Sequence, residues 1–99
     1  MITGSAPISP DVLSFLKACF SCPILEGYGQ TETAAPATLP WLYDPDCGNV
    51  GPPMPSCDIK LIDIPEMGYT CEDKNEAGLI QPRGEVCFRG HNCFKAYYD

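Results

Sequence analysis

The sequence predicts an α/β fold whose α/β first half runs into a mostly β second half. Three observations carry this reading. Val12, Leu13, Leu16, Cys19 and Phe20 recur at intervals of three and four, the period of a helix with one apolar face. A short apolar run, Pro23-Ile24-Leu25-Glu26, follows and stops at Gly27, as a buried strand entering a glycine loop would. Further on, residues 58–64 and 85–89 alternate apolar and polar side chains with the period of two that marks strands.

Taken in order, Gly4-Ser5-Ala6-Pro7 is a turn, and Ser9-Pro10 reads as an N-cap followed by proline at the first helical position. Asp11 suits the positive end of the helix dipole, so the helix is predicted over residues 10–20. Loop, helix, strand and loop make half of an α/β unit, with the loop after Glu26 at the strand's carboxyl end, where open sheets bind ligands. Residues 34–56 are punctuated by Pro36, Pro40, Pro45, Pro52, Pro53 and Pro55 and should be irregular. In the strand at 58–64, Ile59 and Leu61 alternate with Asp58 and Lys60; at 85–89, Val86 and Phe88 share a face opposite Cys87. The connection over 65–84 is acidic and long for a compact domain, which marks it as an insertion or as hidden structure.

Glycine and proline together fill 20 of 99 positions (9 and 11), well above their usual share of roughly 12%. Much of the chain is therefore loop. A net charge of −7 and a pI near 4.4 argue against a nucleic-acid partner, since phosphate backbones need a basic face. No apolar run approaches the roughly 20 residues that span a bilayer, and Met1-Ile2-Thr3-Gly4-Ser5 lacks the features of a secretory leader. Seven cysteines form an odd set, and Cys19-Phe20-Ser21-Cys22 has no second pair to complete a zinc site. Most of them read as small buried hydrophobes in a reducing, intracellular compartment.

The chemistry concentrates in Glu26-Gly27-Tyr28-Gly29-Gln30-Thr31-Glu32-Thr33. Glycines on both sides of Tyr28 let backbone approach a ligand closely. Tyr28 offers a flat face to a base. Thr31 offers a hydroxyl to a phosphate oxygen, and Glu32 is a hard oxygen ligand suited to Mg²⁺.

This stretch resembles the Y-G-x-T-E signature of the adenylate-forming enzymes, the superfamily of acyl-CoA synthetases, luciferases and peptide-synthetase adenylation domains. Gly48-Asn49-Val50-Gly51-Pro52-Pro53 is similar to the family's G-x-V-G-x-P segment, and residues 82–90 to its P-R-G-E-[IV]-x-x-R-G strand. Pro65-Glu66-Met67-Gly68-Tyr69 resembles the insertion of eukaryotic long-chain acyl-CoA synthetases. The resemblance covers essentially the whole chain. It implies that Gly4, Ser5 and Ala6 together with Glu26, Gly27, Tyr28, Gly29 and Gln30 flank the adenine. It places Thr31 at the α-phosphate, Glu32 at Mg²⁺, and residues 33–35 at the acyl entrance. ATP, Mg²⁺, CoA and a long-chain fatty acid are the implied cofactors and substrates.

By the same resemblance, residues 1–35 are the adenine and phosphate segment and residues 36–99 a proline-rich loop and β segment of one partial AMP-binding domain. The chain opens beside a functional-looking turn and closes just after a strand, which reads as an interior, inactive piece of the large N-terminal domain. The family's phosphate loop, ribose-binding aspartate and C-terminal domain fall outside these motifs. For the whole enzyme, the resemblance is compatible with an endoplasmic-reticulum, peroxisomal or mitochondrial membrane. Ala96 stands where the family generally has glycine, and would be strained if φ there is positive. Two other readings are a cysteine-rich, non-catalytic binding module in which the motif is accidental, and a different adenylate-forming ligase.

Overall fold

A parallel strand pair needs a crossover to join it, and here the helix provides one. In the computed structural model, which describes residues 1–98, β1 (Ile2–Thr3) lies parallel to β2 (Leu25–Glu26), with α1 (Pro10–Phe20) between them in sequence. The anticipated half-unit is therefore a complete, if minimal, β-α-β unit.

The helix has the predicted bounds for the predicted reason: proline at its start and acidic Asp11 in the first turn. Ser9 occupies the N-cap with extended backbone, yet its side chain makes no capping hydrogen bond, a departure from the expected role. The Leu13 N–H closes the first turn on the Ser9 carbonyl at 2.9 Å. Of the predicted apolar stripe only Leu13 is buried; Leu16 is half-buried, while Val12, Cys19 and Phe20 are exposed. At the helix end Ser21 turns left-handed at φ 49° and returns its N–H to Ala18.

β3 (Tyr28–Gln30) leaves β2 directly and pairs antiparallel with β4 (Ala35–Thr38). A 3₁₀ turn, Thr31–Thr33, joins them, and the register slips between Tyr28 and Gly29. β4 corrects the expectation that residues 34–56 are irregular throughout. Its pairing extends to the next proline stretch, through Met54 N–H to Ala37 O at 2.9 Å and Leu39 N–H to Pro52 O at 3.2 Å. Proline can sit at such an edge because it needs to donate nothing there.

β5 (Cys57–Ile62) and β6 (Glu85–Gly90) form the longest ladder, with Ile59 opposite Phe88 and Leu61 opposite Val86. Those four side chains share one face, as the alternation required. β5 stops two residues earlier than predicted because Asp63 leaves the ladder. Its carboxylate accepts the Cys71 N–H at 2.8 Å, and its charge pushes the Cys71 thiol up.

The connection after β5 is not structureless. Pro65–Met67 is a 3₁₀ turn, and isolated bridges pair Ile64 with Tyr69 and Lys74 with Ile80. The Thr70 N–H and hydroxyl both donate to Asp73, as does Arg83 at 2.8 Å. These donors hold the Asp73 carboxyl below its ordinary value.

The buried hydrophobic residues are few: Leu13, Ile24, Leu25, Ala37 and Cys57. They sit where the β-α-β unit meets β4. The expectation that most cysteines are buried is corrected here: only Cys57 is, with its Sγ 3.4 Å from the Ala37 carbonyl, while Cys19 and Cys71 are exposed and the other four half-buried. The radius of gyration is 15.5 Å, against about 13 Å for a compact chain of this length. Extents of 44 × 41 × 22 Å describe a plate, and Trp41 (76% exposed) and Tyr43 (84%) stand out from it.

Candidate functional site

The motif residues are brought together at the carboxyl end of β2, where the chain turns into β3. Two open hollows adjoin there. The first, of about 520 Å³, is lined by Ser5 and Ala6, by Glu26 to Gly29 and by Gly48, Asn49 and Val50. The second, of about 1070 Å³, is lined by Gly4, Ser5, Gly27 to Glu32 and Ala34 to Pro36, among others. Both are of the order of small-molecule sites, which run to about 300–1,000 Å³. Ser5, Gly27, Tyr28 and Gly29 belong to both and form the wall between them.

Every residue expected at the adenine, the α-phosphate or Mg²⁺ therefore lines one hollow or the other; of the three expected at the acyl entrance, Ala34 and Ala35 line the larger, whereas Thr33 is buried and lines neither. Tyr28, Thr31 and Glu32 line the larger one together. Ala6 and Glu26 line only the smaller. In sequence, Gly48, Asn49 and Val50 are family markers alone; the structure adds them to the smaller hollow's wall.

Tyr28 is 41% exposed, and its ring stacks against Phe88 of β6, with centroids 6.0 Å apart and planes at 26°. The aromatic platform is thus braced from the β5–β6 hairpin, a contact across 60 residues with no local sequence signal. Glu26 behaves differently from the expectation of a ligand-flanking carboxylate alone. It is buried, and its Oε1 accepts the Ile8 N–H at 3.1 Å, which pins the Gly4-Ser5-Ala6 turn over β2. Ser5 holds left-handed backbone at φ 71° in that turn.

The turn carrying Thr31 and Glu32 is fixed by Thr33, which is 1% exposed. The Thr33 hydroxyl accepts the Gln30 N–H at 3.1 Å and lies 3.0 Å from the Gln30 and Ala35 carbonyls, to which it can donate in turn. The chain leaves through Ala34 and Ala35, both left-handed at φ 54° and 87°, a conformation that costs a non-glycine residue roughly 1–2 kcal/mol. Thr33 is what holds them there. Thr33→Val keeps the shape but strands the Gln30 N–H, so it should cost about 1–3 kcal/mol, read as a lowered denaturation midpoint. Thr33→Ser, which retains the hydroxyl, should lose less; equal stability of the valine variant and wild type would refute the role.

Thr31 is exposed, and its hydroxyl has no hydrogen-bond partner among the described residues. It is free for a ligand. Glu32 is exposed too, and its Oε1 accepts a hydrogen bond from the Tyr97 hydroxyl. That bond, led by the phenol's donation, lowers the Glu32 pKa and raises that of Tyr97. The lowered carboxyl loses the contact only as pH falls through its own value, and the raised phenol only as pH rises through its own. At neutral pH both groups are in the states that make the bond.

Among the described residues, Glu32 is the only acidic one lining the larger hollow, and no Lys or Arg lines either hollow. Among the described residues, no group of three or more His, Cys, Asp or Glu is placed to hold a metal by itself. Such a donor set suits Mg²⁺ that arrives with a polyphosphate, keeps several waters and takes one or two protein carboxylates. A lone carboxylate facing phosphates would repel them; with the cation between, it attracts. Ala96 is absent from the positive-φ residues among those described, so its condition for strain is not met.

The fold and this arrangement define a small α/β unit with open hollows at the carboxyl end of a parallel strand. The chain belongs to the AMP-binding enzyme family, whose model matches residues 1–98. It is 47% identical over 98 residues to fatty acyl-CoA synthetase A of Dictyostelium discoideum, covering 99% of this chain and 14% of that protein. It is equally 47% identical to the peroxisomal long chain acyl-CoA synthetase 7 of Arabidopsis thaliana, covering 99% of this chain and 13% of that one. The AMP-complexed A-PCP didomain of carboxylic acid reductase from Segniliparus rugosus superposes with a TM-score of 0.71 at 31% identity, over 98% of this chain and 12% of that chain. The chain thus spans about one seventh of the curated relatives' length. No helix of the described residues is long and apolar enough to cross a membrane.

Proposed function

We propose that these residues form one wall of the nucleotide site of a long-chain fatty acid:CoA ligase. The observation that carries this is the convergence of Tyr28, Thr31 and Glu32 on one hollow in a chain 47% identical to long-chain acyl-CoA synthetases. The AMP-bound relative of the same fold supports a nucleotide as the occupant.

The reaction runs in two displacements. The fatty acid carboxylate attacks the α-phosphorus of ATP, forming the acyl-adenylate as pyrophosphate leaves. The CoA thiolate then attacks the acyl carbon, and AMP leaves with the bonding pair. Tyr28, braced by Phe88, gives the adenine a stacking surface, with the glycine-flanked backbone beside it. Thr31 donates its free hydroxyl to an α-phosphate oxygen, where negative charge must be stabilised in the transition state. Glu32 provides a ligand for Mg²⁺, which when bound neutralises phosphate charge. Among the described residues neither wall carries Lys or Arg, so this reading leaves further positive charge to other segments of the ligase.

The seven free cysteines and the peroxisomal relative support an intracellular, reducing location for the ligase. ATP–pyrophosphate exchange by the full-length ligase tests the reading. Palmitate should drive exchange, whereas residues 1–99 alone should give none because they carry only part of the site. Palmitate-independent exchange, or none from the full-length protein, would overturn it.

A further inference from the structure

The segment after β6 folds back onto the motif turn at three points. The Asn92 side-chain amide donates to the Thr33 carbonyl at 2.9 Å, and the Phe94 N–H donates to the Glu32 carbonyl at 3.2 Å. The third is the Tyr97 hydroxyl on the Glu32 carboxylate. Phe94 packs edge-on against the Tyr97 ring with centroids 5.0 Å apart, which limits where the phenol can swing. Two bonds thus fix the backbone of the turn, and one fixes the carboxylate itself.

The geometry is asymmetric in a useful way. Tyr97 occupies Oε1, whereas Oε2 takes no hydrogen bond from any other described residue; the one further donor to the carboxylate is the backbone of Glu32 itself. An exposed glutamate otherwise samples several rotamers, and each must be given up when it ligates a cation. A donor on one oxygen that leaves the other open reduces that loss. This is how hydrogen-bond partners of metal-ligating carboxylates act in general.

We propose that Tyr97 is a positioning residue for Glu32, holding its carboxylate with one oxygen free to meet the Mg²⁺ of the bound nucleotide. The inference rests on the magnesium reading of Glu32 given above and adds the residue that orients it. The Phe94–Tyr97 segment then carries the β5–β6 hairpin's position to the phosphate end of the hollow, as Phe88 does to the aromatic end.

The test is Mg²⁺-dependent ATP binding by titration calorimetry on the full-length ligase, with no fatty acid present and therefore no turnover. Tyr97→Phe keeps the ring and its packing and removes only the donor. It should raise the half-saturating Mg²⁺ concentration about tenfold, the low end of what loss of such a partner costs. Glu32→Gln should raise it at least as far, and the Tyr97→Phe/Glu32→Gln double variant no further than Glu32→Gln alone. Asn92→Ala, which loosens the same segment without touching the carboxylate, should shift it less than Tyr97→Phe. A Tyr97→Phe value within about twofold of wild type beside a shifted Glu32→Gln overturns the proposal and leaves the ligase reading intact. A lowered requirement would do the same, since Tyr97 would then compete with the cation. An Asn92→Ala shift as large as that of Tyr97→Phe also overturns it, by reducing the effect to general docking. An unshifted Glu32→Gln instead removes the magnesium role of Glu32, and this proposal with it.

Discussion

Gly29→Ala should dismantle the motif turn. Gly29 faces Pro36 across the β3–β4 ladder at the point where the register slips. A methyl group there would overlap the Ala35 carbonyl oxygen and lie 2.7 Å from the Ala35 carbonyl carbon and 2.9 Å from Pro36 Cα. All three are backbone atoms, which cannot rotate aside as a side-chain tip could. The strands must part, and the Thr33 hydroxyl then loses its simultaneous reach to Gln30 and Ala35. An overlap of this kind should cost at least about 3 kcal/mol locally. Palmitate-driven ATP–pyrophosphate exchange should fall by at least about 100-fold, because an error of about 1 Å in placing groups can cost that much. Gly68→Ala is the control. Gly68 is left-handed at φ 70° but has nothing within 4 Å of the added carbon, so it bears backbone strain without collision. If the two variants lose equal activity, close packing at Gly29 is not what the turn depends on.

The contrast between the longer and shorter elements explains what the sequence could announce. α1 and the β5–β6 ladder are long enough for a period to show, and their predicted spans differ from the observed ones by at most two residues at an end. β1 and β3, of two and three residues, are too short for a period to be read, while β2, also two residues, is announced instead by the apolar run ending at Glu26. β4 hides behind Pro36, which looks like a strand breaker until its place opposite the Gly29 irregularity is known. The end of β5 is hidden for a different reason: Ile62 and Ile64 keep the segment apolar on its other face, while the tertiary demand on Asp63 ends the ladder first.

The site divides along the same line. Tyr28, Thr31 and Glu32 are neighbours in sequence, so their common placement follows from one tight turn. What braces them comes from 59 to 65 residues away: Phe88 against Tyr28, Asn92 on the Thr33 carbonyl, and Tyr97 on Glu32. Local pattern carries no information about such partners. Glu26 shows the opposite failure. Adjacency to the motif marks it as a ligand-flanking residue, whereas burial and the Ile8 N–H give its carboxylate a structural use as well.

Thr31→Ala offers the cleanest kinetic separation, because its side chain supports nothing else. The Thr31 hydroxyl makes no hydrogen bond among the described residues; only its backbone carbonyl is used, accepting the Ala34 N–H at 3.0 Å, and alanine retains that. Fold and hollow should therefore survive. If the hydroxyl meets the α-phosphate as charge builds there, its loss should slow adenylation about 100-fold, the lower range for removing one such donor. ATP affinity should change by less than about threefold, since the contact strengthens only in the transition state. Single-turnover formation of acyl-adenylate, measured with saturating ATP and palmitate, separates the two quantities. Thr31→Ser should recover most of the rate, because the donor returns. An effect confined to ATP affinity would place the hydroxyl against a part of the nucleotide that does not react, and would move the reacting phosphate away from this turn.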